Sequence, residues 1–338
     1  MKAIVLKDFG SAENFALAEL EKPATGDNEV LVRIKATAFN PIDYQMRRGD
    51  SESKLLKSPI LGRELSGEVV EAGKNVHSFL PGDKVAAYVG SLASNGTYAE
   101  FISIPAELIA KIPSGISFED AAALPMAGMT ALQCFNRAFT FIPKEKPIFI
   151  TGGAGGVGTM LIKLLLENGN NHIYTTAGNS DSIQHLKNIG LAENNILDYR
   201  KEDMIESLKS AAGVKYFDYV ADLVGGKISE TAGELVSVFG TYVDVTNLLT
   251  QKARELLFDK ASTVVHIANY APALITDGSM FKYYGNMLDE LFSKIVQQSI
   301  TPAPINIIGN LSVESVQKAH RLMENNETKG KKLVMTIH

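Results

Sequence analysis

The sequence predicts an α/β fold in which a doubly wound parallel sheet is joined to a β-rich domain. Three observations lead to this prediction. The first third of the chain reads as short strands separated by turns, and a glycine-rich loop at residues 151–158 lies between an apolar strand and an apolar helix. After that loop, strand and helix patterns alternate, which is typical of a parallel sheet covered on both faces.

The β-rich domain is predicted from period-two patterns. Residues 30–36 alternate between inward and outward positions, and similar patterns occur at 65–71, 84–88 and 98–104. Turn signals at residues 81–83 and 94–96 separate the later strands.

The glycine-rich loop follows an apolar strand at residues 147–150 and matches G-x-G-x-x-G through Gly153, Gly155 and Gly158. In this pattern the first glycine makes the turn, the second lets the backbone approach a pyrophosphate, and the third lets helix and strand pack closely. The pyrophosphate then lies on the N–H groups at the start of the helix. The sequence therefore predicts dinucleotide binding in a Rossmann domain, through Gly153, Ala154, Gly155, Gly156, Val157 and Gly158.

Domain boundaries follow from the change of pattern along the chain. Further strands are predicted at residues 172–176, 216–221, 241–245 and 263–267, separated by lengths that suit crossover helices. A final strand at residues 332–337 is predicted to return to the first domain. We therefore predict a Rossmann domain at residues 123–269 and a discontinuous β-rich domain at 1–122 and 270–338.

Composition excludes several classes of protein. The formal net charge of the 338 residues is −5, with no basic block, which argues against nucleic acid as a partner. The single cysteine, Cys134, can form neither an intramolecular disulfide nor a Cys-based zinc cluster. No apolar run approaches the ~20 residues of a membrane helix, and the first residues lack a signal-peptide core, so we expect a cytoplasmic protein without membrane contact.

Short motifs in order along the chain carry a family resemblance. They are N-P-I-D at 40–43 with R-R-G at 47–49, L-G-R-E-L-S-G-E-V-V at 61–70, P-G-D-K-V at 81–85, G-T-Y-A-E at 96–100, A-A-A-L-P-M-A-G-M-T-A at 121–131 and D-Y-R at 198–200. Together they resemble the medium-chain dehydrogenase/reductase superfamily, in its zinc-free quinone oxidoreductase branch, which includes the zeta-crystallin-like enzymes. This resemblance implies a GroES-like β-rich catalytic domain beside the Rossmann domain, and a homodimer joined edge to edge through residues 263–267.

Zinc ligands are missing at the positions that the resemblance identifies. Zinc alcohol dehydrogenases of the superfamily carry Cys in the first loop and His in a G-H-E motif, whereas this chain has N-P-I-D and Arg63. The position of the third ligand falls at about residues 221–222, which are Ala and Asp. The histidines, at positions 77, 172, 185, 266, 320 and 338, show no ligand spacing and are assigned ordinary surface or core roles. We therefore predict no catalytic zinc.

The tip of the second predicted Rossmann strand favours NADPH. NAD-specific sites usually end this strand with Asp or Glu, whereas here it ends T-T-A-G-N-S at residues 175–180. Asp181 follows, but Ser180 and Asp181 are more simply interpreted as a helix N-cap. By resemblance, Tyr199 lies near the 2′-phosphate, Ser182 stands where relatives often have Lys, and Thr130 faces the cofactor. The predicted cofactor residues at this tip are thus Gly178, Asn179, Ser180, Ser182 and Tyr199.

The predicted reaction is hydride transfer from NADPH to a quinone or an α,β-unsaturated carbonyl, since without a metal nothing lowers the pKa of an alcohol. Asn40 is the first catalytic candidate, for the substrate carbonyl or the nicotinamide ribose, or else serves turn geometry before Pro41. Tyr44 is a proton donor or a packing residue. Arg63 stabilises an oxyanion or forms a salt bridge to Glu64 or Glu68.

Other residues are assigned around this site. Asp43 and Arg47 are expected to form a structural ion pair. Residues that could line the acceptor pocket are Asn269, Tyr270, Phe281, Tyr283 and Tyr284.

Two alternative functions stay open at this point. The first is a zinc-free enoyl-thioester or 2-haloacrylate reductase, which differs only in its acceptor. The second is a non-catalytic NADPH-binding protein of crystallin-like or RNA-binding type, against which the acidic composition counts.

Overall fold

The computed structural model describes residues 1–138, 142–274 and 278–338, except the side chains of residues 51 and 52. The chain divides into two compact units, which are described separately. We call residues 1–129 with 269–338 the β-rich unit, and residues 130–268 the parallel-sheet unit. The predicted α/β class, with a Rossmann sheet and a β-rich domain, is confirmed.

The strands and helices follow the predicted patterns closely. The strands are β1 Lys2–Leu6, β2 Phe15–Glu19, β3 Glu29–Ala38, β4 Glu64–Ala72, β5 Lys84–Tyr88, β6 Phe101–Pro105, β7 Ile109–Lys111, β8 Ile148–Ile150, β9 Ile173–Ala177, β10 Ile196–Asp198, β11 Phe217–Asp222, β12 Val236–Asp244, β13 Thr263–His266, β14 Ile305–Asn310 and β15 Lys332–Thr336. The helices are α1 Pro41–Arg48, α2 Phe118–Ala122, α3 Pro125–Ala138, α4 Gly156–Glu167, α5 Ser180–Asn188, α6 Met204–Ala212, α7 Lys227–Leu235, α8 Gln251–Asp259, α9 Phe281–Val296 and α10 Val313–Glu324.

The parallel-sheet unit contains, among its described residues, a six-stranded sheet in the order β10-β9-β8-β11-β12-β13. Every neighbouring pair in this sheet is parallel. Because the strand order reverses between β8 and β11, the carboxyl ends of these two strands form the switch point at which open α/β sheets bind ligands. Its core is built of apolar and aromatic side chains on the sheet and its helices, among them Phe149, Tyr174, Leu208, Phe217, Leu235 and Tyr242.

The β-rich unit is organised around the long strand β3. This strand pairs with β4, β6 and β15, all antiparallel. Val334 of β15 lies opposite Ala38 of β3, so the last strand of the chain does return to the first domain, as predicted from residues 332–337. A buried cluster that includes Phe15, Phe39 and Tyr98 packs beneath α1 and α10.

Candidate functional site

The glycine-rich loop is held in place by hydroxyl groups of the neighbouring strand β9. The N–H of Gly153 donates to Thr175 Oγ1 at 3.0 Å, and the N–H of Gly152 donates to Thr176 Oγ1 at 3.2 Å. Thr175 Oγ1 in turn donates to the carbonyl of Ile150 at 2.7 Å, at the end of β8. These hydrogen bonds fix the backbone of the loop.

The three motif glycines differ in what a side chain would contact. A Cβ on Gly153 would lie 2.2 Å from Thr175 Oγ1, and one on Gly158 would lie 2.5 Å from Gly153 Cα. On Gly155, by contrast, the nearest atom to an added Cβ is the Gly152 carbonyl oxygen at 3.3 Å. Packing therefore requires the first and third glycines, whereas the space beside Gly155, at the N-cap of α4, is open for a pyrophosphate.

A buried carboxylate supports the loop from the other half of the sheet. Asp222, at the carboxyl end of β11, accepts hydrogen bonds from Thr151 Oγ1 at 2.8 Å and from the Tyr242 hydroxyl at 2.7 Å. The N–H groups of Val224 and Gly225 also donate to it. Since Thr151 directly precedes the glycines, Asp222 ties three strand ends together at the switch point.

The tip of β9 carries the predicted adenosine-side residues. Gly178 lies against the ring of Tyr199, because an added Cβ would lie 2.4 Å from the tyrosine hydroxyl. Tyr199 itself is 51% exposed. The N-cap predicted at Ser180 and Asp181 was wrong, because the helix is capped by the preceding residue. Asn179 is the N-cap of α5, and its side chain accepts the N–H of Ser182 at 2.8 Å, so the helix begins one residue earlier than a cap at Ser180 would allow.

Arg200 adds a positive charge next to Tyr199. Its guanidinium binds Asp198 through two hydrogen bonds, of 2.9 and 2.7 Å, while its side chain stays 60% exposed. These hydrogen bonds lower the pKa of Asp198 to about 2. Of the other predicted residues, Ser182 and Thr130 are buried, Thr130 on α3, and Ser180 is exposed.

In the β-rich unit, Glu64 is the central acceptor of a buried polar cluster. Its Oε1 accepts Asn40 Nδ2 at 2.8 Å and pairs with Lys332 Nζ at 2.7 Å, and its Oε2 accepts the N–H of Met126 at 2.7 Å. Lys332 also donates to Asn40 Oδ1. Both polar atoms of the Asn40 amide are therefore engaged within the protein, and the cluster joins α1, β4, β15 and the start of α3.

The ion pair predicted between Asp43 and Arg47 was wrong. Arg47 and Arg48 both bind Glu324 at the end of α10, whereas Asp43 Oδ2 accepts the N–H of Asn40 at 2.8 Å. The carboxylate that binds Arg47 comes instead from α10, an element distant in the sequence. Burial raises the pKa of Asp43 to about 7, although the Asn40 hydrogen bond and the nearby Arg63 charge act in the opposite direction.

Arg63 is connected to two of the predicted pocket residues. Its guanidinium donates to Met46 Sδ at 2.9 Å and to the Tyr88 hydroxyl at 2.8 Å. The Tyr88 ring stacks on Tyr284 at 5.8 Å, and the Tyr284 hydroxyl donates to the carbonyl of Asn269 at 2.9 Å.

A small cavity borders Arg63, lined by Met46, Ile60, Leu61, Gly90 and Asn95 among others. Its volume of about 20 Å³ admits a water molecule rather than an organic acceptor.

Tyr44 is partly buried on α1. The guanidinium of Arg48 stands 5.3 Å from the centre of its ring. Tyr44 also packs at the margin of the apolar cluster that contains Phe39 and Tyr98. Tyr283 is partly exposed on α9. The catalytic roles assigned to Asn40, Tyr44 and Arg63 stay predictions.

The side chains present do not suit a zinc ion. Within residues 1–138, 142–274 and 278–338, no group of three or more His, Cys, Asp or Glu side chains is placed to hold a metal. Asn40 and Arg63 stand where the resemblance puts ligands, and an amide and a guanidinium are not the thiolate or imidazole donors that zinc requires.

Comparisons with known proteins identify the family to which the chain belongs. Residues 26–114 match the alcohol dehydrogenase GroES-like domain, and residues 191–334 match the zinc-binding dehydrogenase family. A chloroplastic quinone-oxidoreductase homolog from Spinacia oleracea is 32% identical, over 87% of this chain and 88% of its own length. The chain therefore belongs to the medium-chain dehydrogenase/reductase superfamily, within its quinone oxidoreductase-like branch.

Solved structures show the same fold over the whole chain. The quinone oxidoreductase from Coxiella burnetii is 28% identical with a TM-score of 0.84, covering 100% of this chain and 99% of that one. The Escherichia coli quinone oxidoreductase complexed with NADPH has a TM-score of 0.86 at 24% identity, covering 99% and 100%. Among the described residues, no helix has both the length and the apolar character needed to cross a membrane.

Several residues of these sites were not found from the sequence. Lys332 is the first residue of an apolar strand and lies 268 positions after Glu64, and Tyr88 is the last residue of another strand. Neither residue belongs to a local sequence pattern that indicates a functional site. Asp222 could have been found, because it ends a Rossmann strand, and a carboxylate at the carboxyl end of such a strand lies at the ligand-binding edge.

Proposed function

We propose that this protein is an NADPH-dependent, zinc-independent reductase of quinones or α,β-unsaturated carbonyl compounds. The observation that carries the proposal is the preformed glycine cradle, open beside Gly155, next to a β9 tip without a carboxylate. Membership of the quinone oxidoreductase-like branch supports the choice of acceptor.

The parallel-sheet unit supplies the residues for cofactor binding. The backbone of residues 153–158 and the first turn of α4 would receive the pyrophosphate, and the loop hydrogen bonds to Thr175 and Thr176 keep these groups preorganised. Tyr199, which lies beside Gly178, and the adjacent Arg200 are both exposed and would receive the 2′-phosphate. NADPH, when bound, supplies the hydride.

Residues of the β-rich unit are assigned to the acceptor. The Glu64 cluster would fix the orientation of Asn40, and the contacts of Arg63 with Tyr88 would fix the guanidinium as a preorganised positive charge. An enoyl thioester or a 2-haloacrylate is an activated alkene of the same kind, so such acceptors remain the second candidate. A homodimer and a cytoplasmic location remain part of the proposal.

The test is the oxidation of NADPH with 1,4-benzoquinone and with a simple enone, repeated with NADH and after treatment with a chelator. We expect turnover with NADPH that survives the chelator. Turnover with NADH alone would contradict the interpretation of residues 178–182. Tight NADPH binding without turnover of any quinone, enone, enoyl thioester or haloacrylate would favour the non-catalytic alternative.

A further inference from the structure

An exposed histidine is held by a buried carboxylate at the edge of the parallel sheet. His266 Nδ1 lies 3.2 Å from Asp244 Oδ2, and the two side chains are 62% and 1% exposed. The two residues are register partners on the adjacent parallel strands β12 and β13. One nitrogen of the imidazole therefore faces a fixed acceptor, and the ring is open to solvent.

Asp244 is itself fixed by its own hydrogen bonds. Its Oδ1 accepts the N–H groups of Thr246 and Asn247 at 2.9 and 3.0 Å. Asn247 has a positive φ of 56°, so the backbone turns back over the carboxylate. Arg137 also contacts this segment, and it donates to the carbonyl of His266 at 3.0 Å. A buried acid that orients an exposed imidazole is the arrangement that sets the tautomer of a catalytic histidine.

Asp244 and His266 lie at the edge of the parallel sheet where a ligand is expected to bind. Both residues end their strands at the carboxyl edge, where ligands of open α/β sheets bind. The glycine loop and β9 belong to one half of the sheet, whereas β12 and β13 belong to the half beyond the switch point. Three strand spacings separate β13 from β8, about 14 Å. In a dinucleotide-binding sheet of two halves, the second half faces the part of the ligand beyond the pyrophosphate.

We propose that His266, oriented by Asp244, is the proton donor of the reduction; the inference rests on the reductase function proposed above. When an enone gains hydride at its β-carbon, the C=C electron pair moves and leaves an enolate. The Nε2–H bond of the His266 imidazolium breaks, and the proton forms the new O–H or C–H bond of the product. His266 is left neutral with its remaining proton on Nδ1 towards Asp244, and it regains the other proton from solvent.

The experiment compares His266→Asn with the wild type, using enone and quinone acceptors. An asparagine can present its amide N–H where Nδ1 was and keep the contact with Asp244, but it has no group that donates a proton. We expect kcat with the enone to fall about 100-fold. With the quinone we expect a smaller loss, because a quinol anion is a weaker base than an enolate. His172→Asn, at the exposed amino end of β9, is the matched control and should keep wild-type kcat.

Two measurements on the protein itself accompany the kinetics. NADPH affinity, followed by fluorescence titration, should be unchanged in both variants, because neither residue contacts the glycine loop. In ¹⁵N spectra of the ligand-free protein, Nδ1 of His266 should carry a proton, and Asp244→Asn should alter that signal.

Three outcomes overturn the proposal. These are a kcat of His266→Asn within twofold of wild type for every acceptor that the wild type reduces, an equal loss in His172→Asn, or an Nδ1 without a proton. If the wild type binds NADPH but reduces no acceptor, the proposed reductase function fails first and this inference fails with it. If the wild type is active and His266→Asn is equally active, only the inference fails.

Discussion

Two buried carboxyl groups in the β-rich unit, Glu64 and Asp43, differ in how many hydrogen-bond and charge partners surround them. Glu64 has a lysine, an amide and a backbone N–H around it, so its burial is compensated. Asp43 has the N–H of Asn40 on Oδ2, while Oδ1 has no hydrogen-bond partner among the described residues. A buried carboxyl with incomplete partners holds its proton more tightly, which is why the pKa of Asp43 rises to about 7.

The raised pKa predicts a pH-dependent effect of Asp43→Asn on stability. Because the folded protein binds the Asp43 proton more tightly than the unfolded chain does, protonated Asp43 stabilises the fold. This stabilisation is complete below the unfolded pKa of 3.8 and is lost as the pH rises through the folded pKa of about 7. Asparagine cannot ionise, so the variant does not lose this stability. Its free energy of unfolding should therefore increase relative to that of the wild type as the pH rises from about 4 to about 7. The difference of roughly three pKa units corresponds to about 4 kcal/mol as an upper limit. Urea unfolding at pH 4 and pH 8 measures it.

The comparison between the two pH values is its own control, because any packing change caused by Asn is present at both. A free-energy difference between variant and wild type that stays constant from pH 4 to pH 8 would contradict the raised pKa of Asp43.

At the scale of elements, the sequence predicted what local patterns determine. Period-two runs located β3, β4 and β5, and the glycines located the turn into α4, because strand alternation and backbone approach leave signals within a few residues. The pairs Glu64–Lys332 and Asp244–His266 left no such signal. They depend on which strand ends meet, so β15 must first be placed beside β3, and β13 beside β12, before the pairs can be recognised.

The packing of α4 on its loop predicts the effect of Gly158→Ala. The new Cβ would lie 2.5 Å from Gly153 Cα and 2.6 Å from the Gly152 carbonyl oxygen, both backbone atoms. The loop must therefore shift, and we expect a loss of about 1–3 kcal/mol in the free energy of unfolding. Since the shift moves the pyrophosphate site, NADPH affinity should fall at least about 10-fold, or 1.4 kcal/mol. Calorimetry and fluorescence titration measure the two effects.

Gly233→Ala, on α7, is the matched control. Its added Cβ would have its nearest neighbour at 3.6 Å, an ordinary contact, and alanine favours a helix by about 1 kcal/mol over glycine. This variant should be as stable as the wild type or more stable by up to about 1 kcal/mol, with unchanged NADPH affinity. Wild-type NADPH binding by Gly158→Ala would mean that the loop is not the pyrophosphate site.

At the scale of the molecule, strand pairing explains why the first domain is discontinuous. β15 adds to β3 and brings Lys332 to Glu64, so the last residues complete both the sheet and the buried charge cluster. Breaking a buried ion pair by removing one partner costs several kcal/mol, because the other charge stays buried. The strand β15 therefore stabilises the first part of the chain, by pairing with β3 and by compensating the buried charge of Glu64.

The parallel sheet has an edge that predicts self-association. Within the described residues, β13 pairs only with β12, so its other side is an unpaired edge. Val264 on this strand is 36% exposed, and Val238 and Phe239 on β12 are 61% and 79% exposed. An apolar edge strand with free backbone groups favours pairing with another chain. We expect a homodimer that pairs along β13 around Val264 and leaves the His266 side chain, at the carboxyl end of the strand, outside the contact, with a solution mass of twice the 36.6 kDa chain mass.

Val264→Lys tests this interface, because a lysine on an edge strand opposes pairing. We expect light scattering after gel filtration to give the mass of a single chain for this variant. Leu17→Lys, on β2 and 57% exposed in the wild type, is the control and should leave the dimer intact. A wild type that is already monomeric, or a Val264→Lys variant that stays dimeric, would show that β13 is not the interface.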